Sequence, residues 1–200
     1  ERKENSNTLE PLAYQKAVER TFNRQNNEYD IINASMGLLG EIGELTNIFK
    51  KVYFHGHPEN MSEVVDELGD IMWYYCALAN TFNLSLEKML SRSVPSAPLS
   101  VNLLDKKDST RVFSMISRIN GVATQLCSAL VFGPVVEQFR PDIEITLLFL
   151  ALLDGLHLLI KSLDLDLETI CSANQRKLET RYPNGFTTED SIERVDTKGE

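Results

Sequence analysis

Apolar residues recur at helical spacing along most of the chain, and alternating runs bounded by turns are nearly absent. This pattern predicts an all-α protein. The predicted helices cover residues 9–23, 29–53, 62–82, 85–90, 110–131, 142–163 and 166–181. Ser62 is a candidate N-cap for the third helix. The inward side of the first helix is expected to carry Leu12, Ala13, Ala17 and Phe22.

Two pairs of segments resemble one another at a nearly constant spacing. Asn83–Met89 matches Asp164–Ile170, and Tyr53–Gly56 more loosely matches Leu130–Gly133. Each match closes a long helix or opens a short one. Because one helical hairpin cannot bury its apolar face alone, the matches predict two packed hairpins around a four-helix core. The alternative is coincidence among leucine-rich helices.

This repeat divides the chain into four regions. Residues 1–90 hold the first helix and the first hairpin, and residues 91–109 form a linker rich in proline and serine. Residues 110–186 hold the second hairpin, and residues 187–200 are expected to form a polar tail.

The charge of the chain narrows the range of partners. Acidic residues outnumber basic ones by 29 to 20, which gives a formal net charge of −9. Such a chain repels nucleic-acid backbones and anionic membranes, so we expect neither as a partner. An apolar content of 42% excludes a disordered or collagen-like chain. A small anionic ligand would need a metal ion or a local basic patch.

Cysteine use and hydropathy indicate a cytoplasmic protein. Cys76, Cys127 and Cys171 lie in apolar helical segments, where reduced cysteine acts as a small hydrophobic residue. The first residues do not form a signal peptide, although a removed organellar leader would leave no trace. The apolar run over residues 143–160 is short for a membrane span and contains charged positions, so we expect a buried helix.

Two pairs of acidic residues stand at helical spacing on successive helices. Glu41 and Glu44 lie three residues apart on the second helix, and Glu67 and Asp70 repeat that spacing on the third. In each pair the two acids lie at roughly −60° and −120° from the apolar stripe. An antiparallel hairpin would gather all four carboxylates at one seam, where a hard cation such as Mg²⁺ would offset their repulsion. Two solvated helix faces are the alternative.

The ordered motifs around these acids resemble a known family. They are Gly37–Leu45, Lys50-Lys51, Phe54–Pro58, Val65–Tyr74 and, near the C-terminus, Asn174–Phe186. Together they resemble the MazG-like all-α nucleoside triphosphate pyrophosphohydrolases, relatives of the dimeric dUTPases and of dCTP pyrophosphatase. Two departures stand out: Gly40 replaces an acid common in the family, and some 75 residues separate the first hairpin from the C-terminal motif.

For the fold, the resemblance implies a MazG-like four-helix-bundle core, here built as a tandem, pseudo-dimeric pair of hairpins. The second hairpin lacks the acids, since Leu148 and Ala151 stand where the repeat aligns Glu67 and Asp70. It is therefore expected to be structural. The chain would be a monomer or a homo-oligomer such as a dimer.

For the activity, the resemblance implies hydrolysis of a nucleoside or deoxynucleoside triphosphate to the monophosphate and pyrophosphate, as a nucleotide-pool cleansing enzyme. Glu41, Glu44, Glu67 and Asp70 would hold Mg²⁺, with Mn²⁺ as a substitute. One of the glutamates, which the sequence does not single out, would accept the proton of the attacking water.

Candidate substrate-binding residues come from the same motifs. Lys50, Lys51, Lys177 and Arg181 are candidates for phosphate contacts, and the spacing of Asn174 places it on one helix face with Lys177 and Arg181. The resemblance places Tyr74 against the sugar, Trp73 or Phe54 is a candidate for stacking on the base, and Tyr182 completes the C-terminal set. Surface charge and core packing are the alternatives for these residues.

Three other interpretations compete with this one. A di-iron bundle needs two Glu-x-x-His pairs, and the chain offers a single Asp154-x-x-His157. A hydrolase of another phosphorylated nucleotide, such as an alarmone or a diphosphate, stays open. So does a non-catalytic helical module that binds nucleotides or regulates a partner.

Overall fold

A computed structural model describes residues 10–94, 97–98, 100–133 and 142–194. Within these ranges the regular structure is helical, which confirms the all-α prediction. The helices are α1 Pro11–Thr21, α2 Asn27–His55, α3 Met61–Thr81, α4 Leu86–Arg92, α5 Ser109–Leu130, α6 Asp142–Ser162, α7 Leu167–Arg181 and α8 Thr188–Glu193. A short 3-10 turn over Lys106–Asp108 leads into α5.

Polar caps begin several of these helices. Asn26 accepts a hydrogen bond from the Tyr29 amide at the start of α2. Asn60, rather than the predicted Ser62, caps α3, because its side chain reaches the amides of the first turn, where Ser62 already lies inside the helix. Gly56 ends α2 in the left-handed conformation with φ 72°, which a residue with a side chain adopts only at a cost.

The core lies between two helical hairpins, α2 with α3 and α5 with α6. Helix α2 also packs on α5, while α1 and α7 pack on α3 and α4 packs on α6. The short helix that follows each hairpin thus packs on the second long helix of the other hairpin. Fully buried side chains in this core include Leu38, Ile42, Leu68, Tyr75, Phe149 and Leu152.

The two corners that follow α3 and α6 have the same backbone geometry. Asn83 and Asp164 both adopt the left-handed conformation, with φ 55° and 58°. At each corner the next amide bonds back to a carbonyl five residues earlier, at 2.8 Å for Leu84 and 3.0 Å for Leu165. The similarity between these segments therefore extends to their conformation. The tandem origin of the two hairpins stays a prediction.

The buried side of α1 differs in part from the predicted one: Phe22 is buried as expected, but Leu12 and Ala13 are not. Leu12 is 59% exposed and Ala13 is exposed, while Tyr14 and Val18 are each 1% exposed. The observed rotation of α1 turns Tyr14 inward. This buries the large Tyr14 ring and lets its hydroxyl bond to Asn174 on α7, which stabilises the fold more than burying Leu12 would.

The predicted linker and tail contain ordered structure. Helix α4 extends to Arg92, Leu103 is 5% exposed in the core, and the Val101 amide donates to the Ser162 carbonyl at 3.2 Å. Pro95 lies outside the described residues. Within the region predicted as a polar tail, Thr187 caps α8.

Two stretches have the length and mean hydropathy of a membrane span. They are Lys106–Gly133 and Ile145–Ser162, and residues buried in the protein account for 39% and 50% of their most apolar windows. Both include core positions such as Ile119, Leu126, Phe149 and Leu156. Such helices are weak evidence for a membrane, because core helices of globular proteins have the same composition.

Candidate functional site

Three of the four predicted carboxylates converge between α2 and α3. One oxygen from each of Glu41, Glu67 and Asp70 lies within 4.8 Å of the other two. All three side chains are half-buried. Glu41 and Glu67 stand on the shoulders of apolar stripes whose members Ile42 and Leu68 face the core, and Asp70 is covered by Asn174 and Lys177 of α7. Glu44 is exposed and lies outside this group. The three converging residues are called the acidic triad below.

Crowding and burial shift the proton affinity of the triad. Burial, followed by the negative charges of Asp70 and Glu67, raises the pKa of Glu41 to about 8. Burial raises the pKa of Glu67 to about 6, against a hydrogen bond from Glu41 that lowers it. Without a cation, Glu41 keeps its proton, which reduces the repulsion among the three carboxyl groups. The protonated Glu41 donates a hydrogen bond to Glu67.

Asp70 is the triad member with the most partners. Lys177 on α7 places its Nζ 2.7 Å from both Asp70 oxygens and 2.7 Å from Asp66. Asn174 donates from Nδ2 to Asp70 Oδ1 at 2.7 Å. Burial raises the pKa of Asp70 and the charge of Lys177 opposes that rise. Burial lowers the pKa of Lys177, but Asp70 and Asp66 outweigh it, so the ammonium stays charged.

A buried relay fixes Asn174. Its side chain is 2% exposed and packs on Gly69, where an added Cβ would lie 2.9 Å from the Asn174 Cβ. The Tyr14 hydroxyl donates to Asn174 Oδ1 at 3.0 Å, which leaves the amide nitrogen for Asp70. Helices α1, α3 and α7 are thereby joined at the edge of the triad.

Aromatic side chains cover the other edge of the triad. The Tyr74 ring lies against Gly37, where an added Cβ would be 2.2 Å from the ring. Burial, then the charges of Glu41 and Asp70, raise the pKa of Tyr74 to about 12. Trp73 is half-buried, donates from Nε1 to Thr21 at 3.0 Å and packs edge-on against Tyr74. Its indole is therefore engaged with α1 and Tyr74.

A polar cleft of about 580 Å³ begins beside the triad, between the first turns of α3 and the last turns of α7. Four basic residues line it: Arg176, Lys177, Arg181 and Arg194. Asp66 and Glu63 lie on the α3 side. Such a concentration of positive charge stands out in a chain of net charge −9. We call this region the basic cleft; Lys177 and Asp66 belong to both the cleft and the surroundings of the triad.

The remaining predicted residues lie elsewhere. Lys50 follows Glu41 by nine positions and therefore lies on the opposite side of α2. There Lys50 and Phe54, which is 71% exposed, line an apolar pocket. Lys51 is exposed on the side of Glu44. Tyr182 is 6% exposed and packs against Phe186 at a ring separation of 5.3 Å.

Sequence reasoning did not single out four residues of this region. Asp66 precedes Asp70 by four positions, so helical spacing could have placed it on the same face. Tyr14, Arg176 and Arg194 carry no comparable signal, because they reach the site only through the packing of α1, α7 and α8.

Comparisons with known proteins add one partial relative. No protein-family model matches the chain, and no solved structure matches it. The Gene 37 protein of Mycobacterium phage L5 is 38% identical over 64 residues, which cover 30% of this chain and 56% of the phage protein. The chain thus spans about half the length of that relative.

Proposed function

We propose that the protein hydrolyses a nucleoside triphosphate, with Mg²⁺, to the monophosphate and pyrophosphate. The observation that carries this proposal is the junction of two opposite charge clusters. Three carboxylates within 4.8 Å of one another adjoin a cleft with four basic residues, and Lys177 borders both. A substrate that binds a divalent cation and extends several anionic groups away from it matches this junction.

The donor set of the triad fits a hard cation. Glu41, Glu67 and Asp70 offer carboxylate oxygens alone, which Mg²⁺ and Mn²⁺ prefer and which zinc sites rarely use exclusively. When bound, Mg²⁺ would offset phosphate charge and lower the pKa of a water molecule. Glu44 stands one helical turn beyond Glu41, and its charge already raises the pKa of both Glu41 and Glu67. It is a further ligand candidate in the loaded site.

The basic cleft supplies contacts for the phosphates. Arg181 and Arg176 present planar guanidinium groups that can bind phosphate oxygens in pairs, and Lys177 presents a point charge between cleft and triad. Tyr74 lies beside Glu41 and is a candidate to contact the sugar. These assignments rest on the position of each residue and on the resemblance to the MazG-like enzymes.

The wider setting follows from the same resemblance. We propose a cytoplasmic, nucleotide-pool cleansing enzyme with a small-molecule substrate, acting as a monomer or as a homo-oligomer. The base and sugar preferences are the first unknowns to measure.

The test is pyrophosphate release from a panel of ribo- and deoxynucleoside triphosphates, with Mg²⁺ and with EDTA. Nucleoside diphosphates and an alarmone belong in the same panel. Glu67→Gln and Asp70→Asn are expected to reduce turnover at least 100-fold. A loss of this size is typical when an enzyme loses one group that stabilises charge in the transition state. Glu87→Gln, an exposed position on α4, is the matched control and should retain full turnover.

Two results would overturn the proposal. The first is no turnover of any triphosphate by folded wild-type protein, and the second is turnover that persists unchanged in EDTA and in both triad variants. Hydrolysis of the diphosphates or the alarmone alone would contradict a triphosphatase and would show that the protein is a hydrolase of that other substrate class.

A further inference from the structure

Two side chains of α7 contact Asp70, and they differ in charge. Asn174 donates from Nδ2 to Asp70 Oδ1 at 2.7 Å, and Lys177 Nζ lies 2.7 Å from both Asp70 oxygens. A cation that binds Asp70 is repelled by the Lys177 ammonium, whereas the Asn174 amide carries no net charge. Asn174 is therefore the partner that can stay bonded to Asp70 when the triad holds a cation.

The burial of Asn174 determines which groups it can act on. The side chain is 2% exposed, and its Cβ packs on Gly69 of α3. Its amide nitrogen bonds to Asp70, and its oxygen accepts a hydrogen bond from Tyr14 of α1 at 3.0 Å. At this depth, Asn174 influences a bound ligand through the position of Asp70.

The Tyr14 hydroxyl fixes the orientation of the Asn174 amide. Tyr14 is 1% exposed, and burial raises its pKa well above its ordinary value, so the hydroxyl keeps its proton and donates to Asn174 Oδ1. If the amide were turned over, Oδ1 would face the Asp70 carboxylate, and two acceptors would meet. Without the hydroxyl, Oδ1 would lose this donor in a buried position, and the amide would be held less firmly toward Asp70.

We propose that Tyr14 is a positioning residue of the acidic triad, which holds the Asn174 amide so that Asn174 keeps Asp70 oriented for a divalent cation. The proposal rests on the metal-binding role that the proposed function gives to Asp70, and it is independent of which substrate is hydrolysed. Partners that hydrogen-bond to a metal ligand typically contribute roughly 10- to 100-fold to metal affinity. The site would thus depend on α1, a helix that supplies none of the three carboxylates.

The test measures Mn²⁺ affinity of the full chain without nucleotide, by calorimetry and electron paramagnetic resonance. Tyr14→Phe should weaken Mn²⁺ binding about five- to tenfold, at the low end of the range for such partners because Tyr14 acts through Asn174. Tyr75→Phe is the matched control: Tyr75 is 0% exposed, and its hydroxyl donates to the Phe149 carbonyl of α6 at 3.1 Å. Both variants lose one buried hydrogen bond and should melt at similarly lowered temperatures, but Tyr75→Phe should bind Mn²⁺ as the wild type does.

A double-variant cycle tests whether Tyr14 acts through Asn174. Asn174→Leu should weaken Mn²⁺ binding about tenfold or more, because it removes the donor to Asp70. Adding Tyr14→Phe to Asn174→Leu should weaken the binding no further, since the group that Tyr14 orients is already gone. Circular dichroism verifies that each variant is folded, and if Asn174→Leu does not fold, the comparison of the two tyrosine variants decides the question.

Four results would overturn the proposal. They are no Mn²⁺ binding by the wild type, unchanged Mn²⁺ affinity in Tyr14→Phe, an equal loss in Tyr75→Phe, and a further loss when Tyr14→Phe is added to Asn174→Leu. A wild type that binds Mn²⁺ but turns over no triphosphate would contradict the proposed hydrolysis alone. The affinity test is read without turnover, so the two proposals fail separately.

Discussion

Lys177 Nζ lies 2.7 Å from both carboxylate oxygens of Asp70. The same ammonium group reaches Asp66 at 2.7 Å, and the Lys177 side chain is 16% exposed. In the protein without a bound cation, a lysine on α7 thus neutralises one member of the acidic triad. A cation that binds Asp70 must share or displace this contact, which couples metal binding to the position of Lys177.

Replacing Lys177 tests this competition. We expect Lys177→Met to tighten Mn²⁺ binding in the absence of nucleotide about two- to fivefold, since a competing half-buried ion pair is worth about 1 kcal/mol at most. Turnover of a triphosphate should fall in the same variant, because a phosphate contact is lost. Mn²⁺ affinity is measured by calorimetry or electron paramagnetic resonance.

Lys51→Met, at an exposed position on α2, is the matched control for that experiment and should leave Mn²⁺ affinity unchanged. Weaker Mn²⁺ binding in Lys177→Met would contradict the competition and would mean that Lys177 instead holds Asp70 in its binding orientation.

The carboxylates differ in their expected contribution to metal affinity. Glu41→Gln, Glu67→Gln and Asp70→Asn should each weaken Mn²⁺ binding more than tenfold, because each removes a charged oxygen ligand from the triad. Glu44→Gln should have a smaller effect, because the Glu44 side chain is exposed and outside the 4.8 Å group. Calorimetric titration of the four variants measures this. An effect of Glu44→Gln as large as the others would establish four ligands.

Proton binding at the triad should make metal affinity and stability depend on pH. The pKa of Glu41 rises from 4.5 to about 8 on folding, so the folded chain binds more protons than the unfolded chain between those values. Stability of the metal-free protein should therefore be greatest in mildly acidic solution and fall as the pH rises toward 8. Mn²⁺ affinity should rise over the same interval, since the cation needs the ionised carboxylates.

Melting curves of the metal-free protein between pH 5 and 8.5, with and without Mn²⁺, check this trend. In Glu41→Gln the fall in melting temperature should be much smaller. A wild-type melting temperature that rises steadily from pH 6 to 8 without metal would contradict the assigned shift.

Gly37 should tolerate no side chain, whereas Gly40 three residues later should. An added Cβ at Gly37 would lie 2.2 Å from the Tyr74 ring, and one at Gly40 would meet nothing within 4 Å. Gly37→Ala should lower the free energy of unfolding by about 1–3 kcal/mol, because Tyr74 must move. Gly40→Ala should raise it by about 0.5–1 kcal/mol, the helical gain of alanine over glycine.

Denaturant titrations of both variants, together with Tyr74→Ala and the Gly37→Ala/Tyr74→Ala double variant, test this contact. The double variant should be more stable than the sum of the two single effects predicts, because the clash disappears with the ring. Additive effects would contradict a direct contact between residues 37 and 74.

Local spacing was sufficient to predict much of this protein. The helices α2, α3, α5, α6 and α7 follow from apolar periodicity, and their observed bounds lie within two residues of the predicted ones. The same periodicity placed Glu41 and Glu67 on the shoulders of two apolar stripes and Asp70 one step farther out. Since consecutive helices joined by a short turn usually pack together, the convergence of these acids could also be predicted from the sequence.

Tertiary structure decided which side chains complete the site. Periodicity gives the direction of a side chain around its own helix, but it carries no information on how two helices rotate and shift against each other. The contact of Lys177 with Asp70 spans 107 positions and depends on how α7 lies on α3. The same packing exposes Leu12 in favour of Tyr14 and gathers Arg176 with Arg181 and Arg194.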